Sequence, residues 1–183
     1  MTEKNMLENT SNSWGLPIRV MHGIGMGLVL ILIIHGWWMT EFAPREARFE
    51  QYVWHASFGY ALLLLTALRI TWRGLYKAPE PPADSLKWER NLAALGHMAL
   101  YAFMLSCAIL GWALAGTLSQ PLDAKLLGFI PVPMIMSGDE IHGLLEEKHS
   151  SFAWTLAALV VFHLVATAYH QFYKKDKLLQ RMF

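Results

Sequence analysis

Three histidines lie between His149 and Tyr173, in a stretch that contains no Asp, Glu, Lys or Arg. An imidazole in such an apolar segment is costly unless it has a partner, and histidine is the commonest side-chain ligand of metals in proteins. His22 and His55 lie in two other apolar runs. The chemistry that these side chains can support depends on the elements that carry them and on the depth at which each one lies.

The composition predicts that those elements are membrane-spanning helices. The chain has 183 residues, of which 55% are hydrophobic and 16% charged. It contains four charge-free or nearly charge-free runs, each close to the roughly 20 residues that a spanning helix needs, and none alternates as a barrel strand would. We predict one all-α membrane domain over residues 1–183, an integral four-helix bundle with helices at about 17–40, 52–72, 91–116 and 149–173.

The basic residues predict the orientation of the bundle, because short cytoplasmic loops retain Lys and Arg. Eleven fall in the N-terminal segment, the 69–90 segment and the C-terminal tail: Lys4, Arg19, Arg69, Arg73, Lys77, Lys87, Arg90, Lys174, Lys175, Lys177 and Arg181. Four fall in the other two loops: Arg45, Arg48, Lys125 and Lys148. Both termini are therefore expected in the cytoplasm. The net charge of +1 gives no reason to expect nucleic acid as a partner.

Helical spacing arranges the histidines at two depths. His149 and His163 are 14 residues apart, which places them about 40° from alignment and roughly 21 Å apart along one helix. His22 enters the first helix near the cytoplasm, and His55 enters the second near the outer side. Such an arrangement suits two stacked bis-histidine hemes, His55 with His149 outside and His22 with a histidine of the last helix inside. Spacing leaves that inner partner open, because His170 lies only about 20° from the stripe of His163.

The small residues near these histidines have two interpretations. Gly23, Gly25 and Gly27 follow His22, and Gly59 lies one turn beyond His55. They would let a flat macrocycle approach the backbone, or they would simply let helices pack closely. The chain has no Cys-x-x-Cys-His sequence, so any heme is expected to be non-covalent and b-type.

Several segments resemble the bacterial cytochrome b561 family over roughly Pro17 to Phe183. They are "RVMHG", "VWHASFGY", "LRITWR", "LGHMALYAF", "EKHSSFAW", "FHLVATAYHQF" and "DKLLQRMF". The resemblance implies a bacterial inner-membrane protein with four helices and two b hemes. It also implies that the axial iron ligands are His22, His55, His149 and His163, which selects His163 over His170. The chain is similar as well to the cytochrome b subunits of membrane hydrogenases and formate dehydrogenases.

Other polar residues have weaker assignments. His97, His170, Arg69 and Arg73 lie near the cytoplasmic end, where they would contact heme propionates or a quinone headgroup, or serve only as interfacial residues. His35 is about 140° from His22 around the first helix and is not expected to be a ligand.

Two features are expected on the outer side. His142 is expected on the solvated surface. The outer segment 117–148 carries Pro121, Pro131 and Pro133 around an apolar stretch, and it is expected to form an interfacial lid or a docking surface for a protein.

Two six-coordinate hemes leave no open iron position, which predicts one-electron transfer between an external donor and a quinone. The resemblance makes superoxide:ubiquinone oxidoreductase the most concrete enzymatic form, with ubiquinone as acceptor. The alternative is a heme-bearing anchor subunit that relays electrons for a larger periplasmic redox partner. A third hypothesis, a metal-ion path through a small transporter, is disfavoured because the four runs lack carboxylates.

Overall fold

The computed structural model describes residues 7–82, 85–120 and 122–182. The predicted positions Lys4 and Pro121, and the C-terminal Phe183, lie outside the described residues. The prediction of an all-α four-helix membrane bundle is confirmed, because four helices are long and apolar enough to cross a membrane. They are α1 (Leu16–Glu41), α2 (Arg48–Leu75), α3 (Lys87–Ala115) and α4 (His142–Ala168), and α4 continues as a π-helical turn over Tyr169–Lys174.

Helix α4 begins seven residues before the predicted start at residue 149. The charge-free criterion measures only the part of a helix that lies in hydrocarbon, and Glu146, Glu147 and Lys148 are charged. Charged side chains are good helix formers where they reach water, so the helix extends past the apolar run. The same reason explains the charged first turns of α2 and α3.

The helices pack in chain order, α1 against α2, α2 against α3 and α3 against α4. The few buried side chains include Ile18, Tyr60 and Leu156 at 8% exposure or less. The outward surface is apolar, with Phe162 exposed by 53% and Val165 by 62%. Large apolar side chains facing outward over whole helices are what a lipid-facing bundle requires.

The N-terminal segment, the α2–α3 loop and the C-terminal tail meet at one end, which we call the inner end. The backbone N–H of Trp14 donates to the carbonyl of Arg181 over 3.0 Å, and that of Glu80 donates to the carbonyl of Ser11 over 2.9 Å. The Nε of Arg19 donates to the carbonyl of Met182 over 3.2 Å. These segments and the helix ends beside them, which carry ten basic residues within the described ranges, thus lie together.

The opposite, outer end is formed by the α1–α2 turn and the outer loop, residues 116–141. The loop contains a small antiparallel hairpin of β1 (Lys125–Leu126) and β2 (Ile130–Pro131), whose turn has positive φ at Leu127 and Gly128. The indole Nε1 of Trp112 donates to the carbonyl of Pro133 over 2.8 Å, which ties the loop to α3. The hairpin tip is apolar and exposed.

Candidate functional site

Three histidines from three helices form what we call the inner layer. The rings of His22 on α1 and His163 on α4 have centroids 6.5 Å apart. His97 on α3 lies edge-on to His163, with centroids 5.6 Å apart. The structure therefore brings His163 beside His22.

A second set of three forms the outer layer. The rings of His55 on α2 and His149 on α4 have centroids 6.1 Å apart. His35 on α1 stacks on His55 with centroids 5.8 Å apart and planes 23° from parallel. Each layer thus contains a cross-bundle pair that includes one histidine of α4, together with one further imidazole.

The spacing of both pairs fits one metal ion held between two imidazoles. A metal–imidazole bond is about 2.0–2.1 Å long, so two rings that bind one ion from opposite sides have centroids about 6.3 Å apart. The observed separations of 6.5 Å and 6.1 Å lie on either side of that value. The donor sets therefore suit a six-coordinate heme iron, whose remaining ligands come from the macrocycle.

Hydrogen bonding and packing orient the two rings of the outer pair. Nδ1 of His149 lies 3.0 Å from the carbonyl oxygen of Cys107 and donates to it, which leaves Nε2 available for a metal. A side chain at Gly111 would come within 2.9 Å of the His149 ring. A side chain at Gly36 would come within 3.2 Å of Cε1 of His55. Both rings therefore lie directly on helix backbones that lack a Cβ.

The glycines near the pairs do not all have the same role. A Cβ added at Gly25 would contact Leu65 at 3.6 Å, so this glycine packs α1 on α2. A Cβ added at Gly23, Gly27 or Gly59 would meet nothing within 4 Å. Open space beside His22 and one turn beyond His55 is the room that a flat macrocycle between helices needs.

Two arginines of α2 border the inner layer. The guanidinium of Arg73 lies 5.1 Å from the ring of Trp14, and one of its N–H groups donates to Tyr101 Oη over 3.4 Å. The guanidinium of Arg69 lies 5.6 Å from the Tyr101 ring. Nε of Arg69 and Nε1 of Trp72 are buried and have no hydrogen-bond partner among the described residues. Buried donors of this kind suit an anionic acceptor such as a heme propionate.

His170 has a different environment from His163. Its Nδ1 pairs with Oδ2 of Asp176 at 2.5 Å, at the inner end beyond the inner layer. The neighbouring Lys174 pairs with Glu89 at 2.7 Å. His170 therefore faces the C-terminal tail and not His22.

Some neighbours of the site have no signal in the sequence. His35 stacks on His55 because α2 packs on the part of α1 that carries Gly25, His35 and Gly36, and spacing within one helix cannot show that. The expectation that His142 is a solvated surface residue is wrong: it is half-buried at the start of α4, with Nδ1 3.0 Å from Oγ1 of the buried Thr117. Within the described ranges, no group of three or more His, Cys, Asp or Glu side chains is arranged so that it could hold a metal ion by itself.

Comparisons with known proteins identify the family of the chain. The family model described as prokaryotic cytochrome b561 matches residues 13–183. The chain is similar to cytochrome b561 homolog 2 of Escherichia coli strain K12, at 25% identity over 95% of this chain and 93% of the relative. It is 32% identical to cytochrome b561 homolog 1 of the same strain, over 57% of this chain and 56% of the relative. It is also 27% identical to a Yersinia pestis protein named probable superoxide oxidase CybB, over 85% of this chain and 89% of that protein.

Proposed function

We infer the function from one premise: the chain belongs to the prokaryotic cytochrome b561 family. Membership implies that this integral membrane protein binds heme b and takes part in membrane electron transfer. We propose that it binds two hemes b, one held by His22 and His163 and the other by His55 and His149. The observation that carries this proposal is the pair of ring separations, 6.5 Å for His22 and His163 and 6.1 Å for His55 and His149, in two pairs that share only α4.

Heme iron would supply a one-electron couple, and two histidines on each iron would leave no position for oxygen or substrate to bind. The protein therefore moves electrons between its two faces without binding a substrate to a metal. Cys107 fixes His149 through its backbone carbonyl, and the packing of α1 fixes His55. Arg69 and Arg73 supply cations where propionates are expected.

The inner end offers the polar groups that a quinone site needs. A quinone is apolar except for two carbonyl acceptors, so its site should open to lipid and present hydrogen-bond donors. His97 lies beside His163, and the His170–Asp176 pair connects the same end to the C-terminal tail. These groups can donate hydrogen bonds and deliver the protons that quinone reduction consumes, and ubiquinone is the acceptor that we propose.

This acceptor site is tested by His97→Phe and His170→Phe, measured as the rate of heme oxidation by added ubiquinone. We expect at least one variant to slow that rate while both hemes remain and reduction by dithionite is unchanged. His142→Phe, at the outer end, is the matched control. Unchanged rates in both variants would place the quinone elsewhere and refute the inner site.

The electron donor has two candidates, each with its own support. The Yersinia pestis relative is named a probable superoxide oxidase, which favours superoxide. The charge of the outer end favours a protein instead, because residues 41–50 and 116–149 contain eight acids and four bases, a balance of −4. That field repels an anion, and the exposed hairpin tip, with Phe129 70% exposed, offers an apolar contact to a partner.

The two donors are distinguished by exposing the oxidised protein to enzymatically generated superoxide. A superoxide oxidase would be reduced within the mixing time, and superoxide dismutase would abolish that reduction. An electron relay for a periplasmic enzyme would stay oxidised and would co-purify with its partner from gently solubilised membranes. The second result would reject superoxide as donor and leave the two-heme proposal intact.

We further propose that the inner end faces the cytoplasm of a bacterial inner membrane. The support is the charge of the segments that meet there, eleven bases against six acids, a balance of +5. A reporter fused at the C-terminus should be active only in the cytoplasm, and one inserted near Ser137 only outside. The reverse pattern would invert the proposed orientation and exchange the faces assigned to donor and acceptor.

A further inference from the structure

The outer layer contains a histidine that the two-heme arrangement does not use. His35 lies on α1 between Trp38, with ring centroids 6.1 Å apart, and His55, with centroids 5.8 Å apart. Its Nε2 lies 2.9 Å from Oε1 of Gln51 on α2. These contacts hold the ring of His35 in one position between α1 and α2. Its second nitrogen, Nδ1, is not used by the bond to Gln51.

The bond to Gln51 determines the hydrogen-bonding role of each nitrogen of His35. An amide oxygen only accepts, so Nε2 of His35 carries the proton and donates. In a neutral imidazole the other nitrogen is then an acceptor, so Nδ1 of His35 offers a lone pair. This nitrogen is buried and has no hydrogen-bond partner in the part of the chain that the structure describes.

Nδ1 of His55, on the neighbouring ring, has the complementary requirement. The Cε1–Nδ1 edge of this ring lies on Gly36, the residue after His35, which leaves Nε2 as the nitrogen directed away from α1. An imidazole that binds iron through Nε2 carries its proton on Nδ1 and needs an acceptor there. Nδ1 of His55 is also buried without a hydrogen-bond partner among the described residues. A buried donor and a buried acceptor therefore lie on adjacent stacked rings.

The two proposed outer ligands, His149 and His55, differ in whether Nδ1 has a hydrogen-bond acceptor. His149 already donates from Nδ1 to the carbonyl of Cys107, so its electron-donating strength is set by the backbone. His55 has no backbone acceptor among the described residues, and His35 is the nearest imidazole to it at 5.8 Å. The two rings are nearly parallel, so a bridging water would complete the link.

We propose that His35, held in its tautomer by Gln51, is the hydrogen-bond acceptor for Nδ1–H of His55 and thereby tunes the reduction potential of the outer heme. The inference rests on the proposed ligation of that heme by His55. An acceptor at Nδ1 makes the ligand more basic, and a more basic ligand stabilises ferric over ferrous iron. In this proposal His35 does not bind the iron. It acts on the outer heme only through its hydrogen bond with His55.

The test is redox titration of the purified protein with His35→Phe and Gln51→Leu. Phenylalanine keeps the aromatic contact with His55 and Trp38 but removes the acceptor, whereas leucine at 51 keeps the imidazole and removes the group that fixes its tautomer. We expect the outer heme of His35→Phe to favour the ferrous state about tenfold more at a fixed potential, a rise of about 59 mV for one electron. Gln51→Leu should shift it in the same direction by less. The inner heme should not move in either variant.

His142→Phe is the matched control, because it removes an outer-end histidine whose bond is to Thr117. The outer heme is identified as the spectral component that His55→Ala removes. If His55→Ala kept both hemes, the ligand proposal would fail first. If His35→Phe lost heme, the potential of the outer heme in Gln51→Leu would test the inference, since that variant leaves the His35 ring in place. The inference, but not the two-heme proposal, would be overturned if Gln51→Leu kept two hemes and showed an unchanged potential of the outer heme. The same result is required of His35→Phe where that variant keeps its heme.

Discussion

The inner and outer layers have the same plan but different surroundings. Each contains a cross-bundle histidine pair and one further imidazole, His97 inside and His35 outside. The inner layer is bordered by the guanidinium of Arg69 and lies next to an end with a balance of +5. The outer layer is bordered by neutral Gln51 and lies next to an end with a balance of −4.

The layers also differ in packing. His55 and His149 of the outer pair lie against glycines of neighbouring helices, Gly36 and Gly111, whereas Gly23 beside the inner pair has open space. Positive charge stabilises the reduced, more negative state of a redox group, so the inner site should hold an electron more strongly than the outer one. Similar histidine pairs are thus made unequal by their surroundings, and if each holds a heme as proposed, this inequality favours electron flow from the outer layer to the inner one.

The largest expected effect comes from removing ligands one at a time. His55→Ala or His149→Ala should remove the outer heme, and His22→Ala or His163→Ala the inner one, so each variant should keep about one heme per chain by pyridine hemochromogen assay. The control His142→Ala should keep two. Loss of a heme in His170→Ala, with both retained in His163→Ala, would contradict the assignment on α4.

Much of this arrangement can be predicted from the sequence, because lipid imposes long apolar runs and helical periodicity gives each histidine a face. The start of α4 cannot be predicted from the apolar run, since Glu146 to Lys148 are charged but remain helical. Spacing also leaves His163 and His170 as alternatives, because helix tilt shifts depth by several ångströms. The contact of His35 with His55 depends on which side of α1 receives α2, and that is a property of packing between helices.

The packing difference predicts a position-specific effect of adding one methyl group. Gly111→Ala would place Cβ within 2.9 Å of the His149 ring, so the ring must move, and the outer heme should be partly lost or shifted in its spectrum. Gly96→Ala on the same helix meets nothing within 4 Å and should leave the outer heme unchanged. Visible spectra and heme content of the two variants measure this. Equal spectra and heme content in Gly111→Ala and Gly96→Ala would show that the contact with Gly111 does not position His149.

The difference in charge between the two layers predicts a smaller effect, a shift in the midpoint potential of the inner heme without loss of heme. Arg69→Gln should lower the midpoint potential of the inner heme, because it removes a buried cation worth roughly 1–2 kcal/mol to a nearby negative charge at an effective dielectric constant near 20. Arg48→Gln, at the other end of α2, is the control and should leave the inner potential unchanged. Potentiometric titration followed at the heme α-bands measures both. A rise of the inner potential in Arg69→Gln would reverse the proposed role of that charge.

The central claim, two histidine layers that each hold one heme b, is tested most directly by heme quantitation on the purified wild-type protein with a reduced-minus-oxidised spectrum. About two non-covalent b hemes per chain are expected, both low-spin and six-coordinate. One heme per chain, or none, in protein that is otherwise folded and full-length would contradict it.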